Sequence, residues 1–478
     1  MTLTQLFDLS LIDRQHESAL EFEENSYSFG DIDRQSNQIA QLLLQKDFSS
    51  GDRLCLYLEN SVEFIYIYVA CVKVGIVVVP INILYKDREI NHIIDDAAPK
   101  ALIAAEPTGG ELYWNVKHLI AESTSMLEER PKSTLTGDSP AAIVYTSGTT
   151  GTSKGAVLSH NNFIANTINL ITCWKMSSTD RLLLGLPLFH VHGLANGMHC
   201  WLVAGFKLKL LVKYQHETAE VAFTSFRPTL FFGVPTIYVR LLDKPAAIAK
   251  SIGSTVRLFI SGSAPLPPQV MQDFKTKYGS TILERYGMTE TLMNISNPYV
   301  GERRPGTVGF PLPGMSVKII KPDGKEAAIE EEGELLIKGP NVFEGYWKRP
   351  DATAAAFEGG YFKTGDMCVV SEDGYYTLRG RKSDLIISSG YNIYPREIEE
   401  FLIEQAEIAE AAVVGVPDQV KGEIPVAYLV TKSDVDINSL QELCKQSLAA
   451  FKVPKKFVIV DHLPRTALGK VQKHLLPK

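Results

Sequence analysis

The sequence predicts an α/β protein with a large N-terminal domain, residues 1–381, and a small α+β lid domain, residues 382–478. Up to about residue 300, continuous apolar runs alternate with helical patterns, which is typical of mostly parallel sheets flanked by helices. From about 306 to 380, short alternating strands and glycine turns predict a small β-barrel-like section. The remaining residues contain a complete further set of strands and helices.

The individual elements follow from these patterns. In the large domain, apolar strands are predicted at 53–58, 101–106, 181–188, 207–212, 229–234 and 256–262. Asp-Gly pairs at 323–324 and 373–374 predict hairpin turns. In the tail, strands are predicted at 385–388, 411–416, 425–431 and 457–460, with helices at 395–405 and 439–450. The polar segment RKSD, 381–384, is the predicted joint between the domains.

Composition narrows the class of protein. A formal charge of −7 and a pI near 5.9 argue against a surface that coats nucleic acid, but they permit local basic clusters for a phosphorylated small molecule. The six cysteines form no CxxC and no close pair, which favours reduced thiols in a cytoplasmic protein over a disulfide framework. The N-terminus lacks the cationic and apolar segments of a signal peptide.

One apolar stretch, residues 64–81, is about as long as a membrane-spanning helix. Lys73, Gly75 and Pro80 interrupt it, and its character changes at Gly75. We therefore expect a buried helix over 62–74 followed by an interior strand over 76–79, and no membrane span.

The segment TSGTTGTSKG, 146–155, contains only threonine, serine, glycine and one lysine. Such runs are usually flexible linkers. Here, however, a short apolar run of strand character over 141–145 comes directly before the segment. A glycine-punctuated loop leaving a buried strand can cradle phosphate, because its backbone N–H groups are unobstructed and Lys154 adds positive charge. From this segment alone, both interpretations remain open.

A second polar segment, ERYGMTET at 284–291, has residue types suited to a nucleotide. Tyr286 can stack on a purine, and Glu290 can hold Mg²⁺ that is bound chiefly to substrate phosphates. A surface turn is an equally good interpretation of this segment when it is taken alone.

Two further segments carry single charged residues. In YFKTGDM, 361–367, Asp366 can accept hydrogen bonds from both hydroxyls of a ribose. Arg381 is either a second ribose contact or a solvated cation. In PRTALGKVQKHLL, 464–476, Lys470 is either exposed to solvent or a cation that a small mobile domain delivers to an anion in the large one.

Two histidines follow an apolar strand in LPLFHVHGL, 186–194. On an extended segment His190 and His192 would share a face, and with Cys200 nearby a metal site is conceivable. No third and fourth ligand has suitable spacing, so polar contacts lining a substrate cleft fit better.

Together these segments resemble the adenylate-forming acyl-CoA synthetases, the superfamily that includes firefly luciferases and peptide-synthetase adenylation domains. The resemblance covers nearly the whole chain in the same order. YTSGTTGTSKG is similar to the family's phosphate loop, SGSAPL and ERYGMTE to its adenine segments, and YFKTGD to its ribose segment. RGRKSDLIISSGYNIYPREIEE is similar to its hinge and PRTALGK to its catalytic lysine motif. The loop is neither a Walker A motif nor a GxGxxG.

The resemblance implies ATP, Mg²⁺ and coenzyme A as cofactor and substrates. It implies that the nucleotide contacts the matching positions, which are Thr146, Ser147, Gly148, Thr149, Thr150, Gly151, Thr152, Ser153, Lys154, Ser263, Ala264, Glu284, Tyr286, Gly287, Met288, Thr289, Asp366 and Arg381. It also implies catalytic roles for Lys470, Glu290 and His190. Mg²⁺ is expected at Thr149 and Glu290, and the hinge at Ser383.

Within the superfamily, four local features resemble malonyl-CoA synthetases. Ser153 stands where most relatives carry proline, and His192 follows His190 in an H-x-H-G-L pattern. Arg285 stands where ligases of aromatic or fatty acids usually have a small residue, and Arg240 lies near the expected acyl pocket. The resemblance makes the two arginines partners of the distal carboxylate of malonate, or methylmalonate. Another short dicarboxylate or an aromatic acid is the alternative, and Arg240 is nearly as well explained as a helix-surface cation.

The implied reaction has two steps. A carboxylate attacks the α-phosphorus of ATP while the loop from Thr146 to Lys154 holds the pyrophosphate and Lys470 stabilises the transition state. A thiol, that of coenzyme A or of a separate carrier protein, then displaces AMP after the lid domain rotates, with His190 as the gate. Ser383 replaces the aspartate or lysine common at the hinge, so the balance between the two lid positions does not carry over.

Three rival functions differ from the adenylating CoA ligase in their products or in what they require. A phosphotransferase would release ADP, whereas the adenylating reaction releases AMP and pyrophosphate. A nucleotide-binding module without catalysis would not need Lys470 on a separate domain. A loader of a peptide or polyketide synthase would need a separate carrier, because no carrier-type GG[DH]S motif lies in this chain.

Overall fold

The structure is a computed structural model that describes residues 1–106, 112–146, 153–388, 391–418, 421–448, 450–466 and 469–477. The α-helices are α1 Leu3–Leu11, α2 Phe29–Gln45, α3 Val62–Val74, α4 Asp87–Ala97, α5 Val116–Ser123, α6 His160–Cys173, α7 His199–Ala204, α8 His216–Phe226, α9 Pro235–Leu241, α10 Ala246–Thr255, α11 Pro268–Tyr278, α12 Pro350–Ala356, α13 Pro395–Ile403 and α14 Ile437–Ser447. A π-helix spans His192–Met198, and 3-10 turns span Lys382–Asp384 and Lys473–Leu475.

The strands are β1 Ser18–Phe22, β2 Asn25–Ser28, β3 Arg53–Tyr57, β4 Val77–Pro80, β5 Ala101–Ala104, β6 Tyr113–Asn115, β7 Pro140–Thr146, β8 Lys154–Ser159, β9 Arg181–Leu184, β10 Lys207–Leu210, β11 Leu230–Gly233, β12 Leu258–Ser261, β13 Leu283–Met288, β14 Leu292–Ser296, β15 Phe310–Pro311, β16 Ser316–Ile320, β17 Gly333–Lys338, β18 Gly345–Tyr346, β19 Phe357–Glu358, β20 Tyr361–Val370, β21 Tyr376–Arg381, β22 Ile386–Ser388, β23 Tyr391–Ile393, β24 Ile408–Asp418, β25 Gly422–Thr431 and β26 Lys456–Ile459.

Two large sheets form the body of the N-terminal part. One has nine strands in the order β15-β14-β13-β12-β11-β9-β10-β1-β2, parallel from β13 to β1 and antiparallel at both ends. The other has seven strands in the order β18-β8-β7-β4-β3-β5-β6, with β7 to β6 parallel and β8 and β18 antiparallel. The mostly parallel sheets expected from the continuous apolar strands are confirmed. Their shared apolar core includes α3, α6 and α7.

Two smaller sheets complete the fold. The section predicted to be barrel-like is an antiparallel five-stranded sheet, in the order β16-β17-β20-β19 with β21 paired to β20. Both Asp-Gly pairs lie at turns of this sheet. The C-terminal part contains a second five-stranded sheet, β23-β22-β25-β24 with β26 beside β25, covered by α13 and α14 through a separate apolar core.

The long apolar stretch divides as the sequence predicts. Ser61 caps the N-terminus of α3 through a hydrogen bond from Phe64 N, and Gly75 ends the helix with a φ of 79°. Glycine adopts this left-handed conformation without the steric cost of a side chain. Strand β4 then runs through the interior of the sheet. No helix in the described part of the chain is long and apolar enough to cross a membrane.

The segment after β9 differs from the prediction. The strand expected at 181–188 ends at Leu184, and His192 begins a π-helix instead of lying on an extended segment with His190. Pro187 has no N–H for a sheet, and its carbonyl accepts from His190 N in a turn. Gly193 is required beside this turn, because a Cβ there would lie 2.2 Å from Pro187 O. The shared face proposed for the two histidines was therefore wrong.

Candidate active site

The expected phosphate loop joins two antiparallel strands. Thr146 at the end of β7 pairs with Lys154 at the start of β8. The connection is thus a hairpin between strands, unlike the strand-to-helix connection of a Walker A motif. Six predicted contacts in this loop lie outside the described residues: Ser147, Gly148, Thr149, Thr150, Gly151 and Thr152.

Neighbouring elements fix the base of this hairpin. His92 of α4 places Nε2 2.9 Å from Ser153 O. Tyr145 of β7 donates to Asp96 at 2.7 Å, also on α4. Because both sides of the hairpin are bound to one helix, its base is held rigidly, which a flexible linker would not require.

The expected adenine segment lies on β13 and is buried. Glu284, Arg285 and Tyr286 are 3%, 3% and 8% exposed, so a surface turn is excluded. Gly287 permits close packing, because a Cβ there would lie 2.0 Å from Leu292 O. The half-buried residues Met288 and Thr289 follow toward Glu290.

The second adenine segment, SGSAPL at 261–266, follows β12, the neighbour of β13. Glu284 Oε1 accepts from Leu266 N at 2.9 Å and thereby holds this loop, while burial raises the pKa of Glu284 to about 7. Ser263 has a φ of 70°, and Ser263 and Ala264 are half-buried. The two predicted adenine segments are therefore brought together.

The expected ribose contacts form one hydrogen-bonded group. Asp366 of β20 accepts from Tyr286 Oη at 2.6 Å and lies 2.9 Å from Nε of Arg381, its cross-strand neighbour. Arg381 also donates to Thr364 O at 2.9 Å. A carboxylate fixed in this way retains lone pairs that can accept from a diol.

Glu290 has the properties of a cation ligand. It is 7% exposed, burial raises its pKa, and no described residue forms an ion pair with it. Tyr346 donates to its Oε1 at 3.0 Å. A buried oxygen donor that forms no ion pair with a described residue fits Mg²⁺, which binds through one or two carboxylates and substrate phosphates.

Lys470, in the C-terminal part of the chain, lies near Asp366 and Arg381. Its pKa is lowered, first because the surrounding protein desolvates the ammonium and second because Arg381 lies near, whereas Asp366 opposes the shift. The Lys470 residue nevertheless remains exposed. The preceding Gly469 lies against Thr236 at the start of α9, since a Cβ on Gly469 would be 3.2 Å from Thr236 Oγ1.

Arg285, the predicted contact of the acyl substrate, lies on β13. Its Nε and Nη2 are buried without a hydrogen-bond partner in the described structure, and burial lowers its pKa. It fills the space beside Gly262, where a Cβ would lie 2.4 Å from the guanidinium carbon. The sequence reasoning missed this glycine, although its position between two serines in SGSAPL is a signal for close backbone approach.

The two histidines flank this guanidinium. His192 is buried with Nδ1 3.2 Å from Ser263 Oγ, and His190 Nδ1 accepts from His192 N at 3.2 Å. Burial first and Arg285 second lower the pKa of His190 to about 3 and lower that of His192 well below its usual range. Both rings are therefore neutral. In the described structure no group of three or more His, Cys, Asp or Glu side chains could hold a metal ion, so these histidines and Cys200 form no metal site.

Two predicted residues lie apart from this group. Arg240 is exposed near the end of α9, and no described residue forms an ion pair with it. Its role as a carboxylate partner stays a prediction. Ser383 lies in the 3-10 turn Lys382–Asp384 between β21 and β22, where its Oγ donates to Asp384 Oδ1 at 3.3 Å.

Family profiles match most of the chain. The profile described as AMP-binding enzyme matches residues 12–347, and that of the AMP-binding enzyme C-terminal domain matches residues 397–470. The chain belongs to the AMP-binding enzymes. Like its relatives, this AMP-binding enzyme is an ATP-dependent acid–thiol ligase that makes CoA thioesters through an adenylate.

Named relatives of this AMP-binding enzyme act on different acids. It is 34% identical to a malonate–CoA ligase of Arabidopsis thaliana, over 96% of this chain and 86% of the relative. It is 32% identical to a long-chain-fatty-acid–CoA ligase of Bacillus subtilis, over 96% and 91% of the two chains.

Solved structures confirm the fold. ATP-bound MatB from Rhodopseudomonas palustris superposes with a TM-score of 0.94 at 36% identity, over 99% of this chain and 98% of that chain. The apo form of MatB gives 0.84 at the same identity and coverage. The o-succinylbenzoate CoA synthetase of Bacillus subtilis with ATP and magnesium ion gives 0.89 at 29% identity, over 99% of both chains. The AMP-binding enzyme described here thus superposes better on the ATP-bound than on the apo MatB.

Proposed function

We propose that this AMP-binding enzyme activates malonate, or methylmalonate, and transfers it to coenzyme A. The buried Arg285 carries the proposal, because two of its nitrogens lack a partner in the described structure. An unpaired buried cation is costly, and a ligand carboxylate would satisfy it in the two-bond geometry that guanidinium favours. A dicarboxylic acid offers one carboxylate to Arg285 and the other for reaction.

The surroundings of Arg285 favour a single carboxylate. His190 and His192 remain neutral beside it, so they add hydrogen-bonding groups without a further charge. We propose Arg240 as a second contact nearer the surface, on its position in α9 beyond the buried Tyr238.

In the first step, a carboxylate oxygen would bond to the α-phosphorus of ATP while the bond to the bridging oxygen of pyrophosphate breaks. Both reactants are anionic, so cations must gather around the reacting atoms. Lys470 would donate hydrogen bonds to the carboxylate and the α-phosphate, where charge changes in the transition state. Glu290 and Thr149 would hold Mg²⁺, which neutralises phosphate oxygens.

In the second step, the sulfur of coenzyme A would bond to the acyl carbon as AMP leaves, and the thiol proton would pass to solvent. This step requires Lys470 to withdraw. We propose that residues 382–478 rotate as a lid about Ser383 and that His190 opens the path for the thiol. Residues 1–381 would keep the nucleotide and the acid in place.

Two alternatives remain within the same chemistry. One alternative is another substrate, either a short dicarboxylate, an aromatic acid or a medium-chain acid, which would use the same nucleotide site. The named relatives include a long-chain-fatty-acid–CoA ligase, so related chains are named for different acids. A separate carrier protein would replace coenzyme A as the thiol. We further propose a cytoplasmic location, which the six unpaired cysteines favour.

An acid panel scored by AMP release, with and without coenzyme A, tests the proposal. Malonate and methylmalonate should give the highest kcat/KM, ahead of succinate, acetate, octanoate and coumarate, and coenzyme A should be required for turnover. A clear preference for octanoate or coumarate would contradict the assignment of Arg285. A requirement for carrier protein in place of coenzyme A would contradict the assigned thiol.

A further inference from the structure

Tyr346 contacts two parts of the proposed site that come from different sheets. Its hydroxyl donates to Glu290 Oε1 at 3.0 Å, just after β13 of the nine-stranded sheet. Lys154 Nζ lies over the ring of Tyr346, 5.0 Å from its centroid, at the start of β8 of the seven-stranded sheet. One side chain therefore contacts both the proposed magnesium ligand and the lysine of the phosphate loop.

The backbone around Tyr346 is fixed to the same two parts. Tyr346 pairs with Ala156 of β8, and Trp347 N donates to Gly155 O at 2.8 Å. On the other side, Phe343 N donates to Glu290 O at 2.7 Å. Because hydrogen bonds on both sides fix this short segment, the ring has little freedom to move away from either partner.

Arg381 favours the charged form of Glu290 from a distance, without forming an ion pair with it. Among the described residues, neither Glu290 nor Lys154 forms an ion pair. A carboxylate and an ammonium that shared one pocket would attract each other, and the resulting ion pair would leave neither group available to bind its ligand. Tyr346 contacts them at different places, Glu290 at its hydroxyl and Lys154 over its ring, and a cation held over a tyrosine face remains free on its other side.

We propose that Tyr346 is a positioning residue for adenylation: its hydroxyl orients Glu290 toward Mg²⁺, and its ring holds Lys154 toward the phosphates. The inference rests on the proposed function, in which Glu290 and Lys154 bind metal and ATP. It adds a residue that the nucleotide motifs do not contain.

This role is tested by calorimetry of ATP binding, measured in Mg²⁺ and in EDTA. No carboxylic acid substrate is added, so no turnover occurs. Tyr346→Phe should bind ATP about tenfold more weakly than the parent in Mg²⁺, since it loses one hydrogen bond to a charged group, and equally well in EDTA. Tyr346→Leu should weaken binding in EDTA as well, by about two- to fivefold, because the cation–π contact is lost. Electron paramagnetic resonance of Mn²⁺ with the ATP complex should show weaker metal binding in both variants.

Tyr361→Phe is the matched control. Tyr361 also lies under lysine ammonium groups, those of Lys318 and Lys338, and shares a hydrogen bond with Ser316. It begins β20, in the antiparallel sheet that also contains β16 and β17. It should match the parent in every titration. Equal weakening of Tyr346→Phe in Mg²⁺ and EDTA would show a merely structural role, and unchanged binding in both would show no role. No acid is present in these titrations, so either result is distinct from a failure of the parent enzyme to form AMP. That failure would instead contradict the proposed function.

Discussion

At the scale of single residues, the proposed chemistry depends on cations contributed by distant parts of the chain. Lys470 comes from a turn in which Lys470 N donates to Thr466 Oγ1 at 3.2 Å and Gly469 N to Thr466 O at 2.8 Å. The turn presents the ammonium to the cleft near Asp366 and Arg381. Arg285, by contrast, is a fixed cation inside the large domain.

Replacement of Lys470 with alanine should slow acyl-adenylate formation about 10²–10³-fold, as removal of one preorganised donor does in other enzymes. Thioester formation from supplied acyl-adenylate should largely persist, because the proposed mechanism withdraws the lysine in that step. Pyrophosphate exchange and single-turnover thiolysis measure the two steps separately. Lys456→Ala, at an exposed lysine of β26, is the control; equal loss of both steps in Lys470→Ala would contradict the assigned role.

Replacement of Arg285 with methionine should lower kcat/KM for malonate by an amount equivalent to about 1.5–3 kcal/mol, the usual contribution of a charged hydrogen bond. Acetate, which has no second carboxylate, should lose much less. Steady-state kinetics with the two acids and with Arg240→Met compare the buried and the exposed arginine. Unchanged malonate kinetics in Arg285→Met would remove the basis for a dicarboxylate substrate.

At the scale of elements, helix α1 is docked through a buried histidine. Leu3 N donates to His160 Nδ1 at 3.1 Å, at the start of α6. The ring is fully buried, and burial lowers its pKa from 6.5 to about 4. The acceptor nitrogen must remain unprotonated for this contact, so the docking of α1 depends on pH.

The sign of the effect follows from the lowered pKa. Between about pH 6.5 and 4 the unfolded chain binds a proton that the folded chain does not, so stability falls as the pH falls through this window. The loss should approach about 3 kcal/mol at the acid end. His160→Asn, whose amide oxygen can accept from Leu3 N, should lose less free energy of unfolding between pH 7 and 5 in urea titrations. The exposed His16→Asn is the control, and parallel curves for all three proteins would contradict the explanation.

Much of the secondary structure could be predicted from the sequence, because strands such as 53–58 and 229–234 are continuous apolar runs. The π-helix after Pro187 could not, since it depends on a glycine that accommodates a carbonyl from the preceding turn. Similarly, Tyr346 lies outside the segments that resemble nucleotide motifs, so its role could not be predicted from them. Its contact with Glu290, 56 residues away in the chain, arises only when two sheets meet. The burial of Arg285 likewise depends on tertiary packing.

At the scale of the whole molecule, the C-terminal part places Lys470 near Arg381 and Asp366 of the expected nucleotide site. The turn before Lys470 lies against Thr236, and the better superposition on ATP-bound than on apo MatB is consistent with the arrangement for the first step. The TM-scores with the two MatB forms, 0.94 and 0.84, belong to one sequence, so they differ by conformation. The proposed second step requires this contact to open.

A disulfide between Thr236→Cys and Gly469→Cys should hold the lid in this position. A Cβ on Gly469 would lie 4.0 Å from Thr236 Cβ, within the range of natural disulfides, although a φ of 78° at residue 469 adds some strain. The oxidised variant should keep acyl-adenylate formation and lose thioester formation, and reduction should restore it. Each single cysteine variant is a control. Full thioester formation in the oxidised protein would show that the lid does not need to move.

The central claim, attack of a carboxylate oxygen on the α-phosphorus, is tested most directly with malonate labelled with ¹⁸O in both carboxylates. Mass spectrometry of the products after turnover with ATP and coenzyme A should find one ¹⁸O in each AMP and none in pyrophosphate, because thiolysis leaves the carboxylate oxygen on phosphorus. Unlabelled AMP, or ADP together with labelled inorganic phosphate, would contradict the account.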